Sequence, residues 1–269
     1  MGTKLFIKHA AELVTCRGSW PKIKEEMNDI GIIADGAVVI EGDTIIAVGT
    51  TTDLAEIYQG QDITVINATG KCVLPGFIDA HTHFVFAGER SEEFSWRLKG
   101  MRYLDIMERG GGIMNTVRST RKASKEELCQ LGKRRLDRML ALGITTVEGK
   151  SGYGLDLATE RKQLEVMREL AETHPVEITP TFMGAHAIPP EYKGRSGEFI
   201  DYLITEVLPV VAEEKLAVFC DIFCEQGVFS IEESRKLLLA AQKMGLASKL
   251  HADEIVQLGG AELAADIGA

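Results

Sequence analysis

The stretch "GFIDAHTHF" (residues 76–84) places two histidines one residue apart at the end of an apolar run. In an extended strand, side chains two positions apart share a face, so His81 and His83 can grip one ion from a single rigid element. Two imidazoles also fall this close by coincidence in a chain with six histidines, and the spacing alone leaves the two readings level. Asp79 has the same parity and suits either an orienting hydrogen bond to a ligand or a purely structural one.

Downstream, "GITTVEGK" (143–150), "VEITPTFMGAH" (176–186), "CDIFCEQG" (220–227) and "ASKLHADE" (247–254) have the length and composition of short strands. With the run ending in His81-Thr82-His83 they make five. Between them lie amphipathic helical stretches with legible ends. Ser124/Glu127 and Ser230/Glu233 have capping-box spacing, and Gly143 and Gly245 stand where helices would stop. This alternation predicts βαβ units and a parallel sheet. An open doubly wound sheet lacks its G-x-G-x-x-G after the first strand, and "RGGGIMN" (109–115) reads as a loop. The polar residues of interest gather at strand C-terminal ends, which is the catalytic face of a barrel. The expected fold is therefore α/β, a (β/α)8 TIM-type barrel over residues 73–269. A complete barrel takes about 250 residues, more than follow Cys72, so the barrel is expected to be incomplete, with about five βα units. The chain is read as a fragment.

Residues 1–72 have another texture. "KLFIKHAAELV" (4–14), "GAVVIEGDTIIAVG" (36–49) and "DITVINATGKCV" (62–73) are short β-branched runs, with Gly42-Asp43 marking a hairpin. They predict a small antiparallel β domain, with no strong helical periodicity until about residue 100. A net charge of −10 excludes a broadly basic nucleic-acid surface. The cluster Lys133-Arg134-Arg135 sits in a helical pattern and reads as a solvated face. No run of 18 apolar residues or leader-like h-region is present, so no membrane span or signal peptide is expected. Five scattered cysteines fit reduced thiols and a cytoplasmic protein.

His251 ends a short apolar strand and is followed by Asp253 and Glu254, which suits a metal ligand beside a proton shuttle. His186 closes another strand and could polarise a carbonyl or merely bond within its loop. His9 and His174 read as structural. Three imidazoles and acidic groups at separate strand ends suit a hydrolytic metal site, although no strand-end carboxylate in 1–269 is an obvious further ligand.

With these positions placed, the chain resembles the metal-dependent amidohydrolase superfamily and, within it, the imidazolonepropionase branch. The resemblance runs along essentially the whole chain. It rests on "LPGFIDAHTHFVFAGER" (74–90), "GGGI" (110–113), "TTVEGKSGYGLD" (145–156), "GAHAIPPEY" (184–192), "DIFCEQGVF" (221–229) and "LHADEI" (250–255). It implies that His81, His83 and His251 bind one zinc or iron ion. It further implies that Arg90, Tyr153 and His186 contact substrate, that Glu254 is an acid–base residue touching it, and that Tyr103 is a weaker candidate for the same pocket. The first 72 residues would be half of a composite β-sandwich. The implied reaction opens the cyclic amide of 4-imidazolone-5-propanoate to N-formimidoyl-L-glutamate in histidine degradation. Arg90 would hold the carboxylate, Glu254 would protonate the leaving nitrogen and His186 would help hold the oxyanion. The family adds a metal-ligating Asp and a further His from later strands, so the 269-residue chain alone is expected to bind metal poorly and turn over negligibly. A homodimer is implied, with neither nucleic acid nor membrane as partner.

Two rival functions remain open. The His-x-x-Glu of "HADE" (251–254) also suits a purine or pyrimidine deaminase, against which a carboxylate clamp at Arg90 argues. A non-catalytic scaffold would keep the fold without the chemistry, against which the retained His81, His83, His251 and Glu254 argue.

Overall fold

The computed structural model describes residues 4–101, 105 and 111–269. The chain divides into two compact units between Gly76 and Phe77. In the first unit, β1 (Lys4–Val14) lies between β2 (Ile32–Glu41) and β4 (Thr64–Asn67), and β3 (Thr44–Thr50) flanks β2. Gly42 adopts φ 64° in the β2–β3 turn, a left-handed conformation that glycine takes without strain. A short helix, α1 (Thr51–Ile57), is capped by the Thr50 hydroxyl accepting from the Asp53 N–H. After it, β4 pairs parallel to β1, and β5 (Cys72–Val73) pairs parallel further along the same strand. The sheet is therefore mixed where the sequence suggested antiparallel, and it carries a helix the periodicity did not reveal. Seven residues, with only Thr51 and Leu54 buried, are too few to display a 3.6-residue repeat. Phe6, Ala37, Val39 and Leu54 form one buried cluster of this unit, and Ala10, Leu13 and Ala68 form another.

The second unit is a partial (β/α) barrel. Strands β6 (Phe77–Thr82), β7 (Ile144–Lys150), β8 (Glu177–Ala185) and β9 (Phe219–Cys224) run parallel as neighbours. The fifth position is split into β10 (Ala247–Ser248) and β11 (His251–Ala252), both parallel to β9. All five positions thus point their C-terminal ends the same way.

The connecting segments carry α2 (Ser91–Leu98), α3 (Ile113–Lys122), α4 (Lys125–Ala141), α5 (Leu157–Thr173), α6 (Ser196–Tyr202), α7 (Leu208–Glu213), α8 (Ile231–Lys243) and α9 (Gly260–Ile267). Both expected caps form: Ser124 accepts from the Glu127 N–H, and Ser230 with Glu233 makes a full capping box. Residues 113–115, expected in a loop, are instead the first turn of α3.

The core between sheet and helices includes Val147, Leu164, Met167, Phe182, Ile222 and Leu237, all fully buried. Each contributes about 1.5–3 kcal/mol by leaving water. Gly149 lets β7 approach this core, because a Cβ there would lie 2.7 Å from Cε1 of Phe84.

Candidate metal centre

Strand ends bring His81, His83 and His251 together, from β6, from just past β6 and from the first residue of β11. Their ligand atoms all lie within 4.8 Å of one another. The His81 and His251 rings are 4.4 Å apart between centroids. Nδ1 of His83 lies 2.9 Å from the Ser151 carbonyl oxygen. A carbonyl can only accept, so Nδ1 carries the proton and Nε2 keeps its lone pair. Nδ1 of His251 faces Oδ2 of Asp221 at 2.9 Å with the same consequence. Burial, with His251 and the Lys150 ammonium nearby, holds the pKa of His81 below the usual imidazole value, and burial, with the other imidazoles packed around it, holds that of His83 well below it. Those two rings are accordingly neutral near neutral pH, the form that ligates a metal.

Asp221 is the orienting carboxylate, and the sequence reading did not single it out. It is 1% exposed, and its Oδ1 accepts the backbone N–H of His251 at 3.1 Å. Its Oδ2 also accepts from Nζ of Lys150 at 2.7 Å. Burial works to raise its pKa, but the hydrogen bond from His251, together with the charge and hydrogen bond of Lys150, holds it at about 2. Lys150 also donates to Oε1 of Glu148 at 2.8 Å, where Lys249 adds an ion pair at 2.8 Å. The available signal was charge in apolar strands: Glu148 and Lys150 share a face of "TTVEGK", and Asp221 interrupts "CDIFC". Asp79, the orienting residue considered from sequence, instead accepts the backbone N–H of His81, at 3.4 Å.

His186, just past β8, stacks on His83 with centroids 4.5 Å apart and planes 12° from parallel. Its Nδ1 lies 3.1 Å from the Gly152 carbonyl, which leaves Nε2 as an acceptor. Burial lowers its pKa to about 4. The Tyr153 ring stands 5.3 Å from His83 and 5.4 Å from His186. Burial raises the Tyr153 pKa against the pull of Arg90 and Arg135. Arg90 spends one side of its guanidinium on Oε2 of Glu93, through Nε at 2.8 Å and Nη2 at 2.7 Å. Glu254 is exposed, three residues beyond His251, and the segment after it is held by Glu225, whose Oε2 accepts the Ile255 N–H at 2.8 Å. Tyr103 lies outside the described residues. Of the sequence-derived set, the structure clusters His81, His83, His251, His186 and Tyr153. His9 and His174 pair instead with Asp35 and Asp137.

No family model matches the chain. It is 56% identical over 265 residues to a curated protein of Clostridium tetani named imidazolonepropionase, covering 98% of this chain and 63% of that protein. A Parabacteroides distasonis protein of the same name is 51% identical over 265 residues, with 64% of it covered. The chain is homologous to imidazolonepropionases. It spans a little under two thirds of the length of these relatives.

Among solved structures, 5-methylcytosine deaminase from Klebsiella pneumoniae aligns with TM-score 0.64 at 17% identity, over 97% of this chain and 55% of that one. Triazine hydrolase from Arthobacter aurescens aligns with TM-score 0.58 at 15% identity, over 99% and 58%. At such identities the likeness to these two enzymes is one of fold, the amidohydrolase barrel.

Proposed function

We propose that this chain carries the metal-binding and substrate-contacting part of an enzyme that hydrolyses the cyclic amide of 4-imidazolone-5-propanoate to N-formimidoyl-L-glutamate. The observation that carries the reading is the convergence of His81, His83 and His251, with His186 stacked on His83 and the tilted Tyr153 ring beside them. The donor set fits one zinc or iron ion: three imidazoles, two of them with Nδ1 committed to an acceptor and Nε2 available. Such an ion would supply Lewis acidity toward the substrate carbonyl and lower the pKa of a water to about 7.

The chain's own groups supply the rest. The edge of Arg90 not engaged by Glu93 suits the propanoate carboxylate, and the Tyr153 hydroxyl adds a directed hydrogen bond. His186, protonated on Nδ1, offers Nε2 to a ring N–H of the imidazolone. Holding an oxyanion would require a second proton on a ring whose pKa is lowered to about 4. In the reaction, the water oxygen bonds to the carbonyl carbon, the ring C–N bond breaks, and Glu254 takes the proton that the water gives up and passes it to the leaving nitrogen. The cytoplasm, where free thiols such as Cys220 and Cys224 stay reduced, is the proposed compartment. No described helix is long and apolar enough to cross a membrane. The family resemblance suggests a homodimer, which sedimentation would test.

The test joins this chain to the part of the Clostridium tetani relative that it does not span, and offers imidazolonepropanoate, cytosine and guanine. Metal-dependent release of formimidoylglutamate, with neither base deaminated, is the expected outcome. Deamination of a base instead, or no turnover at all, would contradict the proposal. The 269-residue chain alone is expected to turn over negligibly.

A further inference from the structure

We infer that Glu160, a buried carboxylate outside the ligand and substrate set, is a positioning residue that fixes the tautomers of His83 and His186 through the loop 151–155. Glu160 lies in the first turn of α5 and is completely buried. Its Oε2 accepts the Gly152 N–H at 3.0 Å, and its Oε1 accepts those of Gly154 at 2.8 Å and Leu155 at 2.9 Å. The other two amides of the loop also point away from the site. Ser151 donates to the Thr181 carbonyl at 3.0 Å, and Tyr153 donates to Oε1 of Gln163 at 3.3 Å. With every N–H of the loop drawn toward α5 and β8, the carbonyls of Ser151 and Gly152 meet Nδ1 of His83 and Nδ1 of His186. Two imidazoles that follow different strands thus owe their proton placement to one peg.

The loop is cut to fit this carboxylate. A Cβ on Gly154 would lie 2.9 Å from Oε1 of Glu160 and 2.6 Å from its backbone nitrogen. Gly152 has φ 107°, and a Cβ there would lie 2.9 Å from both Cβ and Nδ1 of His186. A glutamine at 160 could still accept from Gly154 and Leu155. Its amide nitrogen would then face the Gly152 N–H, two donors opposed, so the Gly152 carbonyl should move first and His186 with it.

The functional weight of this inference rests on the proposed reading of His83 as a ligand and His186 as a substrate contact, whereas the tautomers do not. The experiment is therefore long-range 1H–15N NMR of the histidine rings in the metal-free chain at neutral pH, followed by zinc titration. In the unaltered chain, His83 and His186 are expected as Nδ1–H tautomers; Nε2–H forms would overturn the inference without any variant. Glu160→Gln and, from the loop side, Gly154→Ala are expected to shift His186 toward a tautomer mixture and, where the loop movement reaches the Ser151 carbonyl that orients His83, to weaken zinc binding about tenfold. Leu170→Ala removes buried core at the far end of the same helix and serves as the stability control. Unchanged ring spectra in the Glu160 and Gly154 variants, or equal changes in the Leu170 variant, would assign Glu160 a merely structural role.

Discussion

Asp221 ties the candidate centre to the barrel interior, because one carboxylate holds His251 by ring and backbone and Lys150 by its ammonium. Replacing Asp221 with Asn removes the acceptor charge and leaves Lys150 with Glu148 as its remaining acidic partner. Metal affinity should fall about 10- to 100-fold, as for other outer partners of a ligating histidine, and competition titration with a chelating dye would show it. Undiminished affinity would contradict the orienting role. The imidazoles also set a pH dependence. His186 titrates at about 4 in the folded chain, below its ordinary value, and burial lowers His83 and His81 too. Between pH 6.5 and 4 the unfolded chain therefore binds more protons than the folded one, so stability is full above about pH 6.5 and declines as pH falls through this window. Urea midpoints of the metal-free chain at pH 7.5, 6 and 5 should decrease in that order; a flat or rising series would contradict it.

At the scale of elements, the capping box of α8 and the close approach of β7 offer separate handles. Ser230→Ala deletes one half of a reciprocal pair, Ser230 with Glu233, and should cost about 1 kcal/mol. Gly149→Ala forces a methyl toward Phe84 and Met167 and should cost about 1–3 kcal/mol through overpacking. Both are read from shifted urea midpoints, and a variant as stable as the parent would refute the corresponding contact. The elements legible in the sequence were those whose signal is local. Short apolar runs, rich in β-branched residues in β7 and β8, marked β7, β8 and β9, and Ser–x–x–Glu spacing marked the starts of α4 and α8. The parallel pairing of β4 with β1 depends on a distant strand, and α1 is too short to show a period. The site was legible where histidines close strands. It was hidden where Glu148, Lys150, Asp221 and Glu160 are buried, because only the fold shows that these charges meet partners rather than solvent.

At the scale of the molecule, two units carry separate cores, and the barrel unit bears all the clustered site residues. The chain covers 63% of its 56%-identical relative, yet the parallel strands already converge on three imidazoles. The central claim is that His81, His83 and His251 together hold one ion. Zinc K-edge absorption spectroscopy of the chain at saturating zinc, with His251→Ala alongside, tests it most directly. The account predicts one zinc per chain with three imidazole nitrogens, falling to two with much weaker binding in the variant; fewer than three imidazoles in the parent, or binding undiminished in the variant, would contradict it.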